Sequence, residues 1–316
     1  MTEIIESLEA ARRATSRSVM TIGNFDGMHI GHQAIFAQAI DEAKERGVKS
    51  LALTFEPHPK SFFQPEKAPL RLAPVPYKFD LMAQYGIDQI VALPFNWALA
   101  GQRPEEFVEE ILIQALGAEL VVVGEDFRFG KKRAGDVDSL KRIGAHHKMD
   151  ARGAERITWD GEVVSSSRVR NAIFHGELEA AEAMLGRPYQ LFGEVIHGDA
   201  RGRDLGYPTA NLDASGMAIP PDGIYVTTLA RRGEKHLKAA TSIGVRPTFG
   251  GGERTIETYV LDEEVPDEGL DLYGSEIELA FRKYLRKELK FDSSEALVAQ
   301  MDQDIAQTRA FFQSHE

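Results

Sequence analysis

Residues 19–55 read VMTIGNFDGMHIGHQAIFAQAIDEAKERGVKSLALTF, and this stretch decides the fold of the first half of the chain. Two β-rich apolar runs, Val19–Phe25 and Val48–Phe55, lie on either side of a segment with helical periodicity. The apolar residues that recur at helical spacing are Ile35, Phe36, Ala39, Ile40 and Ala43. Gly47 then follows as a signal for the end of a helix. The stretch predicts a β-α-β unit, and with it an α/β domain built on a parallel sheet.

The same alternation of strands and helices continues to about Gly186. Pro104 begins a predicted helix of sequence EEFVEEILIQAL, Gly117 ends it, and a buried-strand run follows at Leu120–Val123. Shorter helices are expected at Tyr77–Tyr85 and Ser167–Phe174. We therefore predict one α/β domain over residues 1–186.

A different pattern begins after Arg187-Pro188. The segments EVIHG, GIYVTTLA, KAATSIGV, TIETYVLD and EIELAF are short, β-rich and separated by turns that contain glycine. This spacing predicts a small antiparallel sheet or barrel over residues 187–316. The chain should end in one helix, with Asp292 and Glu295 as a capping pair. Its predicted buried stripe is Leu297, Met301, Ile305 and Phe312.

Composition narrows the class of protein. The 316 residues favour two domains, and 49 acidic against 37 basic side chains give a formal charge of -12. That sign argues against nucleic acid as a partner. The absence of cysteine excludes disulfides and thiolate metal sites. Since no apolar run approaches the roughly 20 residues that span a bilayer, and the start lacks a signal-like apolar core, we expect a cytoplasmic protein without a membrane partner. The oligomeric state stays open.

Two histidines stand at the start of the first long helix. An Asp-Gly turn should deliver His29 and His32 to the helix that begins near Ile30. A spacing of three residues places both imidazoles on one face of the first turn, where unpaired N–H groups and the helix dipole favour an anion. Gly31 would let a phosphate approach closely. We therefore interpret Thr21–His32 as a loop that binds the phosphates of ATP and assists nucleotidyl transfer.

Two other interpretations compete for this loop. Asp26, His29 and His32 are all capable metal ligands, although neither a convincing further ligand nor the longer H-E-x-x-H pattern accompanies them. The second interpretation is a turn that only carries two surface histidines. The position of the loop directly after the first strand of an α/β unit favours the phosphate site over both.

Two later segments of the same half carry candidate binding residues. Residues 124–130, GEDFRFG, follow a strand directly, at the edge where open α/β sheets bind ligands, so Asp126 and Arg128 are candidates for substrate contacts. Residues 165–170, SSSRVR, begin a helix whose amides, hydroxyls and arginines, Arg168 or Arg170, could hold a phosphate. Asp126 and Arg128 could instead form a surface ion pair in a capped turn. The serines of the second segment could instead only cap the helix.

The segments GNFDGMHIGH, GEDFRFG and VVSSSRVR, in this order, resemble the signature blocks of the FMN adenylyltransferase domain of bacterial-type bifunctional riboflavin kinase/FAD synthetases. The resemblance implies a Rossmann-like HxGH nucleotidyltransferase domain in which His29 and His32 contact ATP phosphates and assist catalysis. It implies a phosphate site formed by Gly23, Asn24, Phe25, Asp26, Ser166, Ser167 and Arg170. It also places Asp126 and Arg128 by the adenosine or the FMN. Ser167 replaces the expected threonine but keeps the hydroxyl.

The second half contains a loop that could fold over phosphates. Residues 197–211, HGDARGRDLGYPTAN, combine three glycines with two arginines before a rigid Tyr-Pro step. Thr209 and Asn211 offer oxygen donors suited to a hard Mg²⁺ ion. A flexible hairpin connection with solvated arginines would explain the same composition.

The segments GRDLGYPTANL, PPDGIYV, SIGVRPTF, TIETYVLD, DLYG and LRKELKF resemble successive blocks of a riboflavin kinase domain. The resemblance implies that Gly206, Tyr207 and Pro208 shape the nucleotide loop. It further implies that Thr209 and Asn211 bind Mg²⁺ and ATP, and that Glu257 is the catalytic base. Riboflavin, FMN, FAD and ATP are then the small-molecule partners. The acidic loop at residues 263–269 is longer than the family pattern, which leaves flavin contacts there less defined.

Two alternatives to a bifunctional enzyme remain at this point. One is an adenylyltransferase whose C-terminal domain only binds flavin. The other is a flavin sensor that has kept the fold and lost the chemistry. The presence of Glu257, Thr209 and Asn211 argues against the first, and both histidines argue against the second.

Overall fold

The computed structural model describes residues 2–198, 206–245, 254–261 and 272–315. The chain divides into two compact units, Met1–Pro69 with Pro74–Ser166 and Leu70–Ala73 with Ser167–Glu316. The helices that follow Ser166 therefore group with the second unit. The domain boundary that we placed at 186/187 stays a prediction. The acidic loop at 263–269 lies outside the described residues.

The first unit is built on six parallel strands, which confirms the α/β prediction. The strands are β1 Glu3–Ile5, β2 Ser18–Ile22, β3 Lys49–Glu56, β4 Gln89–Pro94, β5 Ala118–Gly124 and β6 Asp150–Ala154. The helices are α1 Leu8–Ala14, α2 Ile30–Arg46, α3 Pro59–Phe63, α4 Val75–Gln84, α5 Trp97–Gly101, α6 Pro104–Glu106 with a π-helical continuation Phe107–Ile113, and α7 Val137–His146. Short 3₁₀ turns lie at Pro65–Lys67 and Lys131–Arg133, and a hairpin pairs β7 Thr158–Trp159 with β8 Glu162–Val163.

The central strands β2 to β5 of the parallel sheet are buried on both faces, which explains why they are mostly continuous apolar runs rather than alternating ones. Every residue of β2 is buried. One face packs Met20 and Ile22 with α1, the π-helical segment and α7. The other face packs Val19 with Ala39 and Ala43 of α2. The predicted stop of α2 is confirmed, since Gly47 adopts the left-handed conformation with φ 64°.

The strand order of the sheet locates its ligand-binding edge. The order is β1-β4-β3-β2-β5-β6, so the chain runs outward on one side from β2 to β4 and on the other side from β5 to β6. A crevice forms where the direction of winding reverses, at the carboxyl ends of β2 and β5. The segments that leave those two ends are residues 23–32 and 124–130.

The second unit is centred on a closed barrel of six antiparallel strands, which confirms the predicted barrel. The helices α8 Ser166–His175 and α9 Leu178–Leu185 precede it. The strands are β9 Gln190–Ile196, β10 Thr209–Asp213, β11 Gly223–Arg231, β12 Leu237–Val245, β13 Arg254–Val260 and β14 Glu276–Arg286, in the order β10-β13-β12-β11-β14-β9. Strand β10 was not among the predicted strands. It begins inside the segment that we interpreted as a loop, because its small and polar residues lack the alternation that marks a strand.

The terminal helix α10, Ser294–Gln313, corrects two details of the prediction. Its N-cap is Ser293, whose hydroxyl accepts from the Ala296 N–H at 3.2 Å, so the proposed Asp292–Glu295 capping pair was wrong. Its most buried residues are the polar Asp304 and Thr308. The predicted apolar stripe is only half-buried. Asp304 can be buried although it is charged, because its carboxylate accepts hydrogen bonds from both Nε and Nη2 of Arg286 at 2.8 and 2.6 Å. Across the described ranges, no helix is long and apolar enough to cross a membrane.

Candidate functional sites

The turn between β2 and α2 has an unusual backbone. Gly27 has φ 80°, and two residues that are not glycine, Phe25 and Met28, have φ 52° and 43°. Such conformations cost about 1–3 kcal/mol each and cluster at binding sites. Burial compensates for the strain, since Phe25 and Met28 are 1% and 0% exposed. The predicted turn and the start of the helix at Ile30 are both confirmed.

The two histidines are stacked at the positive end of α2. Their ring centroids are 3.6 Å apart and the planes are inclined by 20°. His29 is the N-cap residue, and its Nδ1 accepts from the His32 N–H at 3.3 Å. Neutral His29 therefore carries its proton on Nε2. Burial, and then the neighbouring His29, hold the pKa of His32 well below its ordinary 6.5. Its buried Nδ1 has no hydrogen-bond partner among the residues that the structure describes.

Three neighbours hold this turn in place. The Ser166 hydroxyl donates to the Asp26 carbonyl at 2.8 Å, so the structure joins these two predicted site residues across 140 positions of sequence. Gln33 Nε2 donates to the Met28 carbonyl at 2.7 Å, a contact that the sequence did not suggest. A Cβ on Gly31 would lie 3.1 Å from Nδ1 of His29. Gly31 therefore makes room for the imidazole, and its role in the approach of a phosphate stays a prediction.

The remaining candidates of the first site have distinct locations. Asn24 and Gly23 are half-buried in the turn. Asp126 is exposed at the carboxyl end of β5, with its Oδ1 over Gly124, and Arg128 is exposed and donates to the Phe127 carbonyl at 2.8 Å. Ser167 and Arg170 belong to the second compact unit, where Arg170 Nε donates to the Leu70 carbonyl. Of the predicted phosphate residues in this segment, Ser166 is joined to the histidine turn, through the Asp26 carbonyl.

A cluster of aromatic rings lies at the carboxyl ends of β3 and β4, and sequence reasoning missed it. Phe62, Phe95 and Trp97 have centroid distances of 5.4 Å (Phe62 to Phe95) and 5.0 Å (Phe62 to Trp97). Phe63 joins them, and it and Trp97 are 52% and 72% exposed. Large exposed rings in contact form an apolar patch of the kind that marks an interaction surface. In the sequence, Phe62 and Phe63 follow the end of β3 and Phe95 and Trp97 follow the end of β4. These positions suggest a cluster only once β3 and β4 are known to be neighbours.

The barrel brings the predicted kinase residues onto one face. Asn211 of β10 lies directly opposite Glu257 of β13, and Thr209 lies opposite Tyr259. Side chains of paired residues share a face, with Cβ atoms roughly 4.5–5.5 Å apart. The amide, the hydroxyl and the carboxylate are therefore neighbours. A sequence separation of 46 positions between Asn211 and Glu257 gave no hint of this pairing.

Two glycines leave space beside these side chains. A Cβ on Gly198 would overlap the side-chain amide of Asn211, so that amide packs directly on the Gly198 backbone. A Cβ on Gly244 would overlap the carboxylate of Glu288. Burial, and then the charges of Asp222 and Glu257, raise the pKa of the Glu288 carboxyl. Glu288 is therefore a second carboxylate within electrostatic reach of Glu257, and the sequence did not single it out.

The nucleotide loop enters this face through residues 206–208. Gly206 has φ 86°, a left-handed conformation that suits glycine, and Pro208 precedes β10 directly. Tyr207 places its ring edge-on to Tyr259 at 5.5 Å, and its hydroxyl donates to Oδ1 of Asp302 in α10 at 2.6 Å. That hydrogen bond raises the pKa of Tyr207 to about 12. The loop residues Arg201 and Arg203 lie outside the described residues.

Comparison with known proteins relates each half of the chain to a known family. A family model described as FAD synthetase matches residues 11–168, and one described as riboflavin kinase matches residues 185–312. A bifunctional riboflavin kinase/FMN adenylyltransferase from Pseudomonas fluorescens is 38% identical over 98% of this chain and 97% of its own length. The protein of the same name from Escherichia coli K12 is 35% identical over 93% and 92%. A solved structure titled a macrolide-efflux protein from Streptococcus pneumoniae matches with TM-score 0.84 and 30% identity over 98% of both chains. That title names a different activity, and the likeness is one of fold.

Proposed function

Because the chain belongs to the family of bifunctional riboflavin kinase/FMN adenylyltransferases, it converts riboflavin to FMN and FMN to FAD with ATP, and we propose which residues perform each step. The two reactions use separate sites, one in each half of the chain. We also propose a cytoplasmic location, which the absence of cysteine favours.

The adenylyl transfer takes place at the amino end of α2. A phosphate oxygen of FMN attacks the α-phosphorus of ATP, the bond to the β-phosphate oxygen breaks, and pyrophosphate leaves. The stacked pair His29 and His32 is the observation that carries this assignment. Nε2–H of neutral His29 donates to a phosphate oxygen as negative charge builds up, and the helix dipole adds to the effect. His32, whose low pKa keeps it neutral, stacks on His29 at the same helix end and is the second proposed phosphate contact.

The other residues of this site hold the triphosphate and the acceptor. Residues 23–26 supply the strained backbone around the phosphates, and Ser166 fixes it through Asp26. Ser167 and Arg170 remain proposed phosphate ligands. We assign the exposed rings of Phe63 and Trp97 to the isoalloxazine ring of FMN, since a flat heteroaromatic ring stacks well on such a surface. Asp126 and Arg128 remain proposed contacts of the adenosine or the FMN.

The kinase reaction takes place on the outer face of β10 and β13. The carboxylate of Glu257 accepts the proton of the terminal ribityl hydroxyl while that oxygen attacks the γ-phosphorus of ATP, and ADP leaves. The observation that carries this assignment is the direct cross-strand pairing of Glu257 with Asn211. Hydroxyl and amide oxygen donors fit Mg²⁺, which also keeps nucleotide oxygens in its shell. Thr209 and Asn211 would hold this ion, and it would neutralise phosphate charge.

One experiment tests the kinase assignment. Glu257→Gln keeps the size and removes the charge, and we expect FMN formation from riboflavin to fall by roughly 10²–10⁴. Glu276→Gln, a change at an exposed glutamate of β14, is the matched control. FAD formation from supplied FMN should be unchanged in both variants. If Glu257→Gln phosphorylates riboflavin at the parental rate, the base is another residue and the assignment is wrong.

A further inference from the structure

The nucleotide loop of the kinase half is attached to the terminal helix. The Tyr207 hydroxyl donates to the Asp302 carboxylate at 2.6 Å, across 95 positions of sequence. A donor bonded to an ionised acceptor makes a stronger hydrogen bond than a neutral pair does. Tyr207 precedes Thr209 by only two residues, so this bond acts very close to the proposed metal ligands.

The terminal helix is itself fixed to the barrel at the adjacent turn. Asp304, which is 5% exposed, accepts two hydrogen bonds from Arg286 of β14 and one from Gln300 at 3.1 Å. A bidentate arginine pair defines orientation as well as distance. Asp302 lies two residues before this anchor, so its carboxylate is presented from a fixed support. A hydrogen bond to a fixed support can position a loop, whereas one to a mobile helix end could not.

The ring of Tyr207 completes the connection to the active face. It contacts Tyr259, and Tyr259 lies opposite Thr209 in the pairing of β13 with β10. The hydroxyl end of Tyr207 is thus held by α10 and its ring by β13. Residues 206–208, which lead into β10, are thus tied through Tyr207 to both α10 and β13.

We propose that Asp302 is a positioning residue for riboflavin phosphorylation, which holds the nucleotide loop through Tyr207 so that Thr209 and Asn211 are preorganised for the Mg²⁺ complex of ATP. The inference rests on the proposed assignment of Thr209 and Asn211. It assigns to the terminal helix a part in nucleotide binding, although the helix supplies no ligand. Preorganisation lowers the KM for ATP by raising the fraction of protein that is ready to bind.

The test is a double-mutant cycle on the full-length enzyme. Tyr207→Phe keeps the ring contact and removes the hydroxyl, and Asp302→Ala removes the acceptor. Each should raise the KM for ATP in the kinase reaction by about three- to tenfold, the effect of one hydrogen bond, with kcat changed by less than about twofold. The double variant should be no worse than either single variant. Asp302→Asn retains an acceptor oxygen and should restore most of the affinity.

Three controls separate a positioning role from a structural one. Gln303→Ala changes an exposed side chain of the same helix and should leave KM unchanged. FAD formation from supplied FMN and the thermal unfolding midpoint should stay at parental values throughout. Effects of Tyr207→Phe and Asp302→Ala that simply add, or an unchanged KM in Asp302→Ala, would overturn the inference.

Asn211→Ala distinguishes failure of the inference from failure of the site assignment. If Asn211→Ala still binds ATP and Mg²⁺ and phosphorylates riboflavin normally, the proposed site is wrong and the role of Asp302 is wrong with it. If Asn211→Ala is inactive as a kinase while Asp302→Ala behaves like the parent, the site is right and the positioning role alone is refuted.

Discussion

Replacement of His29 tests the adenylyltransferase site most directly, because this residue has two roles that different substitutions separate. Its ring caps α2 by accepting from the His32 N–H, and its Nε2–H is the proposed phosphate donor. His29→Ala removes both roles. His29→Asn keeps the cap, since asparagine is among the best N-cap residues, but its shorter amide leaves the position of Nε2 vacant.

The two roles differ in magnitude. Loss of the cap should cost about 1 kcal/mol of unfolding free energy in the alanine variant and close to zero in the asparagine variant. Loss of one preorganised donor to transition-state charge costs roughly 10²–10³ in rate, which is about 2.7–4 kcal/mol. A domain that is stable by about 5–15 kcal/mol stays folded after a loss of 1 kcal/mol, so unfolding cannot account for the fall in rate.

The assay supplies FMN and ATP and measures FAD and pyrophosphate, with riboflavin phosphorylation by the same sample as an internal control. We expect both variants to lose adenylyl transfer by roughly 10²–10³ and to keep kinase activity, while only His29→Ala unfolds at lower denaturant. If His29→Asn makes FAD at a rate close to the parent and His29→Ala does not, His29 acts as a helix cap and the catalytic reasoning is refuted.

Three further predictions concern other parts of the molecule. Gly198→Ala should displace the amide of Asn211 and lower kinase activity by at least about tenfold, from the overlap of its Cβ, with FAD formation from FMN as the unchanged control. The depressed pKa of His32 means that the unfolded chain binds more protons below pH 6.5, so stability of the first unit should fall as pH drops below that value, and His32→Gln should flatten the slope measured by denaturant unfolding. If His32→Gln shows the same dependence of unfolding free energy on pH as the parent, other groups cause the loss of stability. Asp304→Ala leaves Arg286 without its bidentate partner and should lower the unfolding free energy by about 2–4 kcal/mol; a calorimetric change below 0.5 kcal/mol would contradict a structural role for the pair.

Local features of this protein could be predicted from sequence because their causes are local. The β-α-β unit at residues 19–55, the glycine that ends α2, and the start of that helix at Ile30 each depend on residues within a few positions of one another. The same holds for the spacing of His29 and His32, which already places both rings on one helical turn. Resemblance to a family added FMN as the acceptor of the adenylyl group, the riboflavin kinase activity and the role of Glu257 as its base.

Errors appeared where local signals compete or are weak. Asp292 and Glu295 matched a capping pattern, but Ser293 lies between them and caps α10 instead. Asp304 looks like a surface residue on a helix, yet Arg286 makes it one of the most buried positions of α10. A hydrogen-bonded partner distant in sequence can bury a polar side chain, and no periodicity of apolar residues records that.

The sequence by itself therefore determined the two kinds of domain, the first β-α-β unit and the chemistry of the individual candidate residues. Only the tertiary structure decided which of those residues meet. The reversal of winding between β2 and β5, the pairing of Asn211 with Glu257 and the contact of Tyr207 with Asp302 each join residues far apart in the chain. Strand order and register arise from packing of whole elements against one another, and that is a property of the closed fold rather than of any single segment.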